Sequence, residues 1–272
     1  MTEWFSTFSV KKDLSKKNVK KKINNNIFID KNIKNMKTLL LFFTALLVFS
    51  FAKSQTADDI IAKHIEAIGG KDKLSQITST YSEKNTEIMG NESNTKTTII
   101  NGKGYKNESD FNGQQIVQVV TDKGGWVINP FGGSTSATAL SPDQYKTSED
   151  EIYLPDPLFN YADHGAKVEL AGQEKVGDKN TNKIKYTNKD GAVTTYYLDT
   201  ASNYIIQAIR TGDVQGPPPD FTISYGDYKK IDFGIYVPYS VGIDMGQFNL
   251  KNTTTKVEVN KTVDASIFDM PK

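Results

Sequence analysis

Apolar residues recur along the chain with two different periods. Between Ala57 and Ile68, the side chains Ile60, Ile61, His64, Ile65 and Ile68 fall within roughly 140° of arc at about 100° per residue. Asp59, Lys63 and Glu66 take the other side. Thr56 is placed to cap this segment, Asp58 and Asp59 sit in its first turn where acids favour the helix dipole, and Gly69-Gly70 stops it. The pattern predicts an amphipathic helix of about three turns that needs a surface to cover.

From about Thr78 the period falls to two, in short runs separated by turn residues. Asn101-Gly102, Asn112-Gly113, Lys123-Gly124-Gly125 and Asp190-Gly191 punctuate the runs, as does the loop Asp199–Asn203. Asn-Gly and Asp-Gly tolerate positive φ at low cost and favour tight hairpins. Gly216-Pro217-Pro218-Pro219 reads as a stiff hairpin loop, and Asp232-Phe233-Gly234 as a hairpin turn. In the last third, Phe221, Ile223 and Tyr225 alternate with Thr222 and Ser224. Ile235, Val237, Tyr239, Val241 and Ile243 alternate in the same way. Each such strand has one buried and one wet face. Ten or so antiparallel strands with one opening helix predict a strongly curved sheet or a barrel.

One stretch lacks the alternation. Ser134 to Ala166 carries three prolines. Ser141-Pro142-Asp143 could start one short helix and Pro157–Tyr161 a second. An insertion of this size in a compact β domain is either a functional element such as a lid or a loop packed over the sheet edge. Its acidic run Ser148-Glu149-Asp150-Glu151 reads as a solvated loop.

Charge divides the chain. Residues 1–54 hold eleven lysines against Glu3, Asp13 and Asp30, and the remainder is acidic, so the overall formal charge of +1 is an average of unlike pieces. The acidic body argues against a nucleic-acid partner. Leu39 to Phe51 is an apolar run of 13 residues preceded by Lys37 and followed by Ala52-Lys53-Ser54. At roughly 20 Å as a helix it is short of a bilayer core. Residues 36–54 therefore read as a secretory signal peptide cut before Gln55. Residues 1–35, rich in Lys and Asn, read as a disordered upstream extension, with translation expected from Met36. The folded domain is expected over 55–272.

Chemistry-bearing motifs are scarce. The chain has no cysteine and two histidines, which excludes disulfides, Cys-ligated metals and thiol nucleophiles. His64 lies on the apolar side of its helix and reads as a packed side chain, and His164 beside Asp163 has no second histidine near it. No nucleophile elbow or phosphate loop is present. Neither catalysis nor a cofactor is expected. Aromatic residues are the positive feature: 13 Tyr, 14 Phe and 2 Trp, many on strands. Either the concave face fills with its own side chains, or it keeps an apolar cavity able to take a lipid. Size and alternation select Trp126, Ile128, Tyr197, Ile206, Ile223, Tyr225, Val237 and Tyr239 as lining candidates.

Five stretches carry a family resemblance. They are TADDIIAKHIEAIGGKDKLSQITS, GWVINPFGGSTSATALSPDQY, VELAGQEKVGDKNTNKIKYTNKDGAVTTYYLD, YGDYKKIDFGIYVPYSV and the closing ASIFDMPK. Their order and spacing resemble secreted Bacteroidetes-type members of the outer-membrane lipoprotein-sorting (LolA/LolB-like) family, over nearly all of residues 55–272. The resemblance implies an α+β, mainly β fold: an incomplete antiparallel barrel covered by short helices around an apolar cavity. It also implies a periplasmic carrier whose partners are acyl chains of lipoproteins or another lipid. Two departures stand out. The early-strand arginine that couples lid and cavity in such carriers has no counterpart here, the single arginine being Arg210 on a late strand. No lipobox cysteine is present either, so a lipid-anchored receptor of the LolB kind is not expected. The alternatives are a cell-envelope protein-interaction module with a filled core, and a secreted hydrolase.

Overall fold

The opening helix, α1 (Ala57–Ile68), forms where the apolar spacing places it. Thr56 accepts a hydrogen bond from the Asp59 backbone while the Asp59 carboxylate accepts one from Thr56, closing a capping box. Gly69 and Gly70, both at positive φ, end it. Ile60, Ile61, His64, Ile65 and Ile68 are all buried. A second short helix, α2 (Lys71–Leu74), follows. The computed structural model describes residues 55–88, 90–211, 220–246 and 249–271, which belong to one compact unit. The segments 1–35 and 36–54 and the Gly216–Pro219 loop lie outside the described residues.

Thirteen strands follow among the described residues: β1 (Ser79–Ile88), β2 (Asn91–Ile100), β3 (Gly104–Phe111), β4 (Gln114–Thr121), β5 (Gly124–Asn129), β6 (Ser134–Ala139), β7 (Lys167–Val176), β8 (Lys179–Thr187), β9 (Val193–Asp199), β10 (Ile205–Thr211), β11 (Asp220–Lys230), β12 (Tyr236–Asp244) and β13 (Asn249–Val259). They make one antiparallel sheet in the order 6-5-4-3-2-1-13-12-11-10-9-8-7. The two ends of the meander therefore meet as the β1–β13 pair, and the sheet stays open between β6 and β7. This is the expected incomplete barrel, with more strands than the alternation revealed. The additional strands β1, β6 and β7 are mostly polar along their length, so hydropathy does not announce them. Asn112 and Gly113, both at positive φ, join β3 to β4 in a tight turn. Asp232–Gly234 is a hairpin turn as expected, with the Gly234 N–H donating to the Ile231 carbonyl.

The sheet has two differently covered faces. On the concave face, α1 and residues from the 140–166 segment pack onto β8–β12 in the main core, with Leu158, Ile184, Leu198 and Ala208 fully buried. On the convex face, a smaller core forms from Val117, Val119, Trp126 and Phe268, the last from a 3-10 turn at Ala265–Phe268. Gly104 makes room for that turn, since a Cβ there would lie 2.6 Å from the Phe268 ring.

The irregular insert is shorter than the sequence suggests. Ser134–Ala139 pairs with β5 as a strand, so only residues 140–166 leave the sheet. Helix α3 (Pro142–Ser148) forms behind a Ser141/Gln144 capping box, as the Ser-Pro-Asp start predicts. The second expected helix, at Pro157–Tyr161, is instead a turn followed by a 3-10 segment at Tyr161–His164. Asp156 holds this stretch by accepting from the Leu158 N–H, a local bond that competes with helix propagation. The insert joins the two unpaired edges β6 and β7, and it is tied to both halves of the sheet. Toward β2–β5, Gly102 N–H donates to the Ile152 carbonyl, Leu154 N–H to Asn101 Oδ1, and Tyr145 hydroxyl to the Thr121 carbonyl. Toward the β8–β9 turn, Asn188 donates to the Lys146 carbonyl and Lys189 pairs with Glu149. The segment is a strap across the open seam.

Candidate functional site

Beneath the strap lies a cavity of about 220 Å³. Helix α1 contributes His64 and Ile68 to its wall, and the strap contributes Asp150, Glu151, Tyr153 and Pro155–Pro157. The sheet supplies Tyr196, Ile205, Arg210, Tyr225, Tyr228 and the Tyr236–Pro238 stretch, with Ile99 opposite. Aromatic and aliphatic surface predominates among the strand residues, whereas the strap brings acids. The volume is below the roughly 300–1,000 Å³ of common ligand pockets, because Leu154, Leu158 and Phe159 of the strap already fill much of the concave face.

His64 ties helix to strap. Its Nδ1 lies 2.9 Å from the Asn203 carbonyl and its Nε2 3.1 Å from Asp156 Oδ2. Both partners accept only, so both ring nitrogens are satisfied only in the imidazolium form. Burial works against that charge, but Asp156 and the Asn203 carbonyl together outweigh it and the pKa is raised above 6.5. The second histidine, His164, stacks on Tyr153 with ring centroids 3.6 Å apart, and burial lowers its pKa.

The acidic run at 148–151 is not the solvated loop its composition suggests. Glu149 is buried and pairs with Lys189, and burial raises its pKa. Asp150 faces the cavity near the buried Tyr186 hydroxyl, and burial raises its pKa as well. Glu151 accepts from Arg210 Nη1 at 2.7 Å. Each acid turns inward beside a cation or hydroxyl 36 to 59 positions later in the chain, a long-range pairing that local composition does not reveal. Arg210 thus couples sheet and strap from β10. Burial also pushes the Tyr225 hydroxyl beside it up to about 12.

The structure divides the eight lining candidates. Tyr225 and Val237 line the cavity, and Ile223 packs against the same core on β11. Trp126 and Ile128 point to the convex face: they pair with Val119 and Val117 in that smaller core, and Trp126 Nε1 donates to the Phe268 carbonyl at 2.9 Å. Tyr197 also lies on the outer face, beneath the Lys183 ammonium at 5.7 Å. Its neighbour Tyr196 takes the cavity position, a one-residue choice of face. Ile206 sits in the register irregularity between Ile205 and Gln207, which hands the wall position to Ile205. Tyr239 lies under the Lys229 ammonium, 4.6 Å from its ring centroid, and not on the cavity wall. The polar members His64, Asp156, Glu151 and Arg210 are absent from the candidates, because alternation selects for bulk alone. The single arginine of the chain, on a mostly apolar strand, was the available signal.

The fold recurs in known structures. A DUF1329 family protein from Desulfovibrio piger superposes with a TM-score of 0.53 at 14% identity, over 79% of this chain and 98% of its own. A LolA superfamily protein from Nitrosomonas europaea does so with a TM-score of 0.53 at 12% identity, over the same shares of each chain. The fold is LolA-like. No family profile and no curated protein matches the chain in sequence. Within the LolA-like half-barrel the cavity lies between strap and sheet, with Arg210–Glu151 and His64–Asp156 as its two polar ties.

Proposed function

We propose that this chain is a non-catalytic binding or carrier protein of the cell envelope, exported by its 36–54 leader, that shelters an acyl chain of a lipoprotein or another lipid beneath the strap. The observation that carries the reading is the cavity itself, enclosed by a segment that bridges an open seam rather than by a closed sheet. A hydrocarbon chain leaving water gains about 0.8 kcal/mol per buried methylene. The resting volume of about 220 Å³ means that loading requires the strap to withdraw some of its own side chains. Leu154, Leu158 and Phe159 then act as the protein's substitute for the guest. The test is titration with a pyrene-labelled fatty alcohol. Saturable uptake at micromolar concentration supports the reading, and no saturable uptake overturns it.

The extent to which the strap fills the concave face favours a second reading, an envelope protein-interaction module with a permanently filled core. It predicts that the alcohol does not bind and that protein-only partners are retained irrespective of detergent.

A further inference from the structure

We propose that Arg210 is the receptor for an anionic headgroup, a carboxylate or phosphate on the guest, and that Glu151 holds that place in the unloaded protein. This rests on the carrier reading and specifies its ligand class.

Arg210 is the one arginine in the chain, and its β10 position turns it into the cavity wall. A guanidinium offers a fork of donors matched to two oxygens at once. Here it makes one bond, from Nη1 to Glu151 Oε1, while its buried Nε has no acceptor. Glu151 is thus an incomplete occupant of a site able to hold a carboxylate or phosphate by two contacts. It also sits on the strap, the element that must shift for a guest to fit. Replacing one anion by another at Arg210 keeps the guanidinium paired throughout, and it makes release of the strap a consequence of headgroup arrival.

The other charges on the wall favour an anion over a cation. Asp156 is matched by His64 and also accepts from the Leu158 N–H, and burial raises the pKa of Asp150 beside the Tyr186 hydroxyl, which weakens the hold of that acid on a cationic guest once Glu151 swings away. Lys84, on β1, experiences the same Glu151 carboxylate, which opposes the lowering of its pKa by burial. Departure of Glu151 without a replacement would leave the guanidinium without its ion-pair partner. Ile99, Ile205 and Val237 extend the wall beyond Arg210 and supply apolar surface for the tail.

The experiment is displacement of the pyrene-labelled fatty alcohol from the full chain by dodecanoic acid, dodecyl phosphate and dodecanol. The acid, the phosphate or both should bind about tenfold or more tightly than the alcohol, and which of them does so identifies the source of the anion. Arg210→Gln should abolish the difference, so that the acid and the phosphate bind no more tightly than dodecanol. Glu151→Gln, which frees the guanidinium without removing it, should tighten anion binding severalfold more than it tightens dodecanol binding, and it decides the matter if Arg210→Gln does not fold. Equal affinity of all three compounds for the parent protein, or weaker anion binding by Glu151→Gln, overturns the headgroup site while leaving acyl-chain carriage intact. Failure of the alcohol probe itself to bind removes the carrier reading and this proposal with it.

Discussion

The His64–Asp156 pair should make stability depend on pH in a defined direction. Its imidazole is almost fully buried, at 1% exposure, and faces acceptors on both nitrogens, so Asp156→Ala leaves an imidazolium with one partner removed. Loss of one member of a buried pair costs about 3 kcal/mol or more, which for a domain of this size is about 10 °C in melting temperature. Because the folded pKa lies above the unfolded 6.5, the stabilisation is fully present below pH 6.5. It is lost as pH rises through the folded value. Each tenfold difference in proton affinity between folded and unfolded chain corresponds to about 1.4 kcal/mol. The assay is thermal unfolding of the parent and of Asp156→Ala between pH 5.5 and pH 9. The gap in melting temperature should be largest at the acid end and shrink toward alkaline pH. A gap that is constant with pH, or that widens on the alkaline side, refutes the charged histidine.

Two further outcomes concern packing. Leu158→Ala empties a fully buried position of the strap and should cost about 2–5 kcal/mol in denaturant unfolding, while enlarging the cavity for an acyl probe. Gly104→Ala drives a methyl group against the Phe268 ring and should cost about 1–3 kcal/mol. It should also red-shift Trp126 fluorescence, because the indole N–H bond to the Phe268 carbonyl depends on that turn staying seated.

What the sequence made legible was whatever a short stretch decides by itself. The α1 helix follows from its own spacing and from Thr56 and Asp59, and the β3–β4 turn follows from Asn112-Gly113. Face parity was harder to read. Tyr196 and Tyr197 are chemically alike, and only pairing with neighbouring strands decides which of them points inward. Trp126 satisfies every local criterion for a lining residue, yet it is drawn to the convex side by Phe268, 142 residues away. The acidic run needed partners equally remote. Glu151 reads as solvated until the fold carries Arg210 to it across 59 positions.

The arrangement of the sheet bears on how the molecule avoids self-association. Pairing β1 with β13 removes two edges in the middle of the sheet and leaves β6 and β7 as its exposed borders. β6 is six residues long and meets β5 through an irregular register. β7 carries Lys167, Glu169, Glu174 and Lys175 and is interrupted between Leu170 and Gln173. Short length, alternating charge and a bulge are the devices by which natural sheets refuse a neighbouring strand. A protein with an unclosed ribbon at its centre is thereby kept from adding copies of itself edge to edge, so an open seam need not seed fibrils in a crowded compartment.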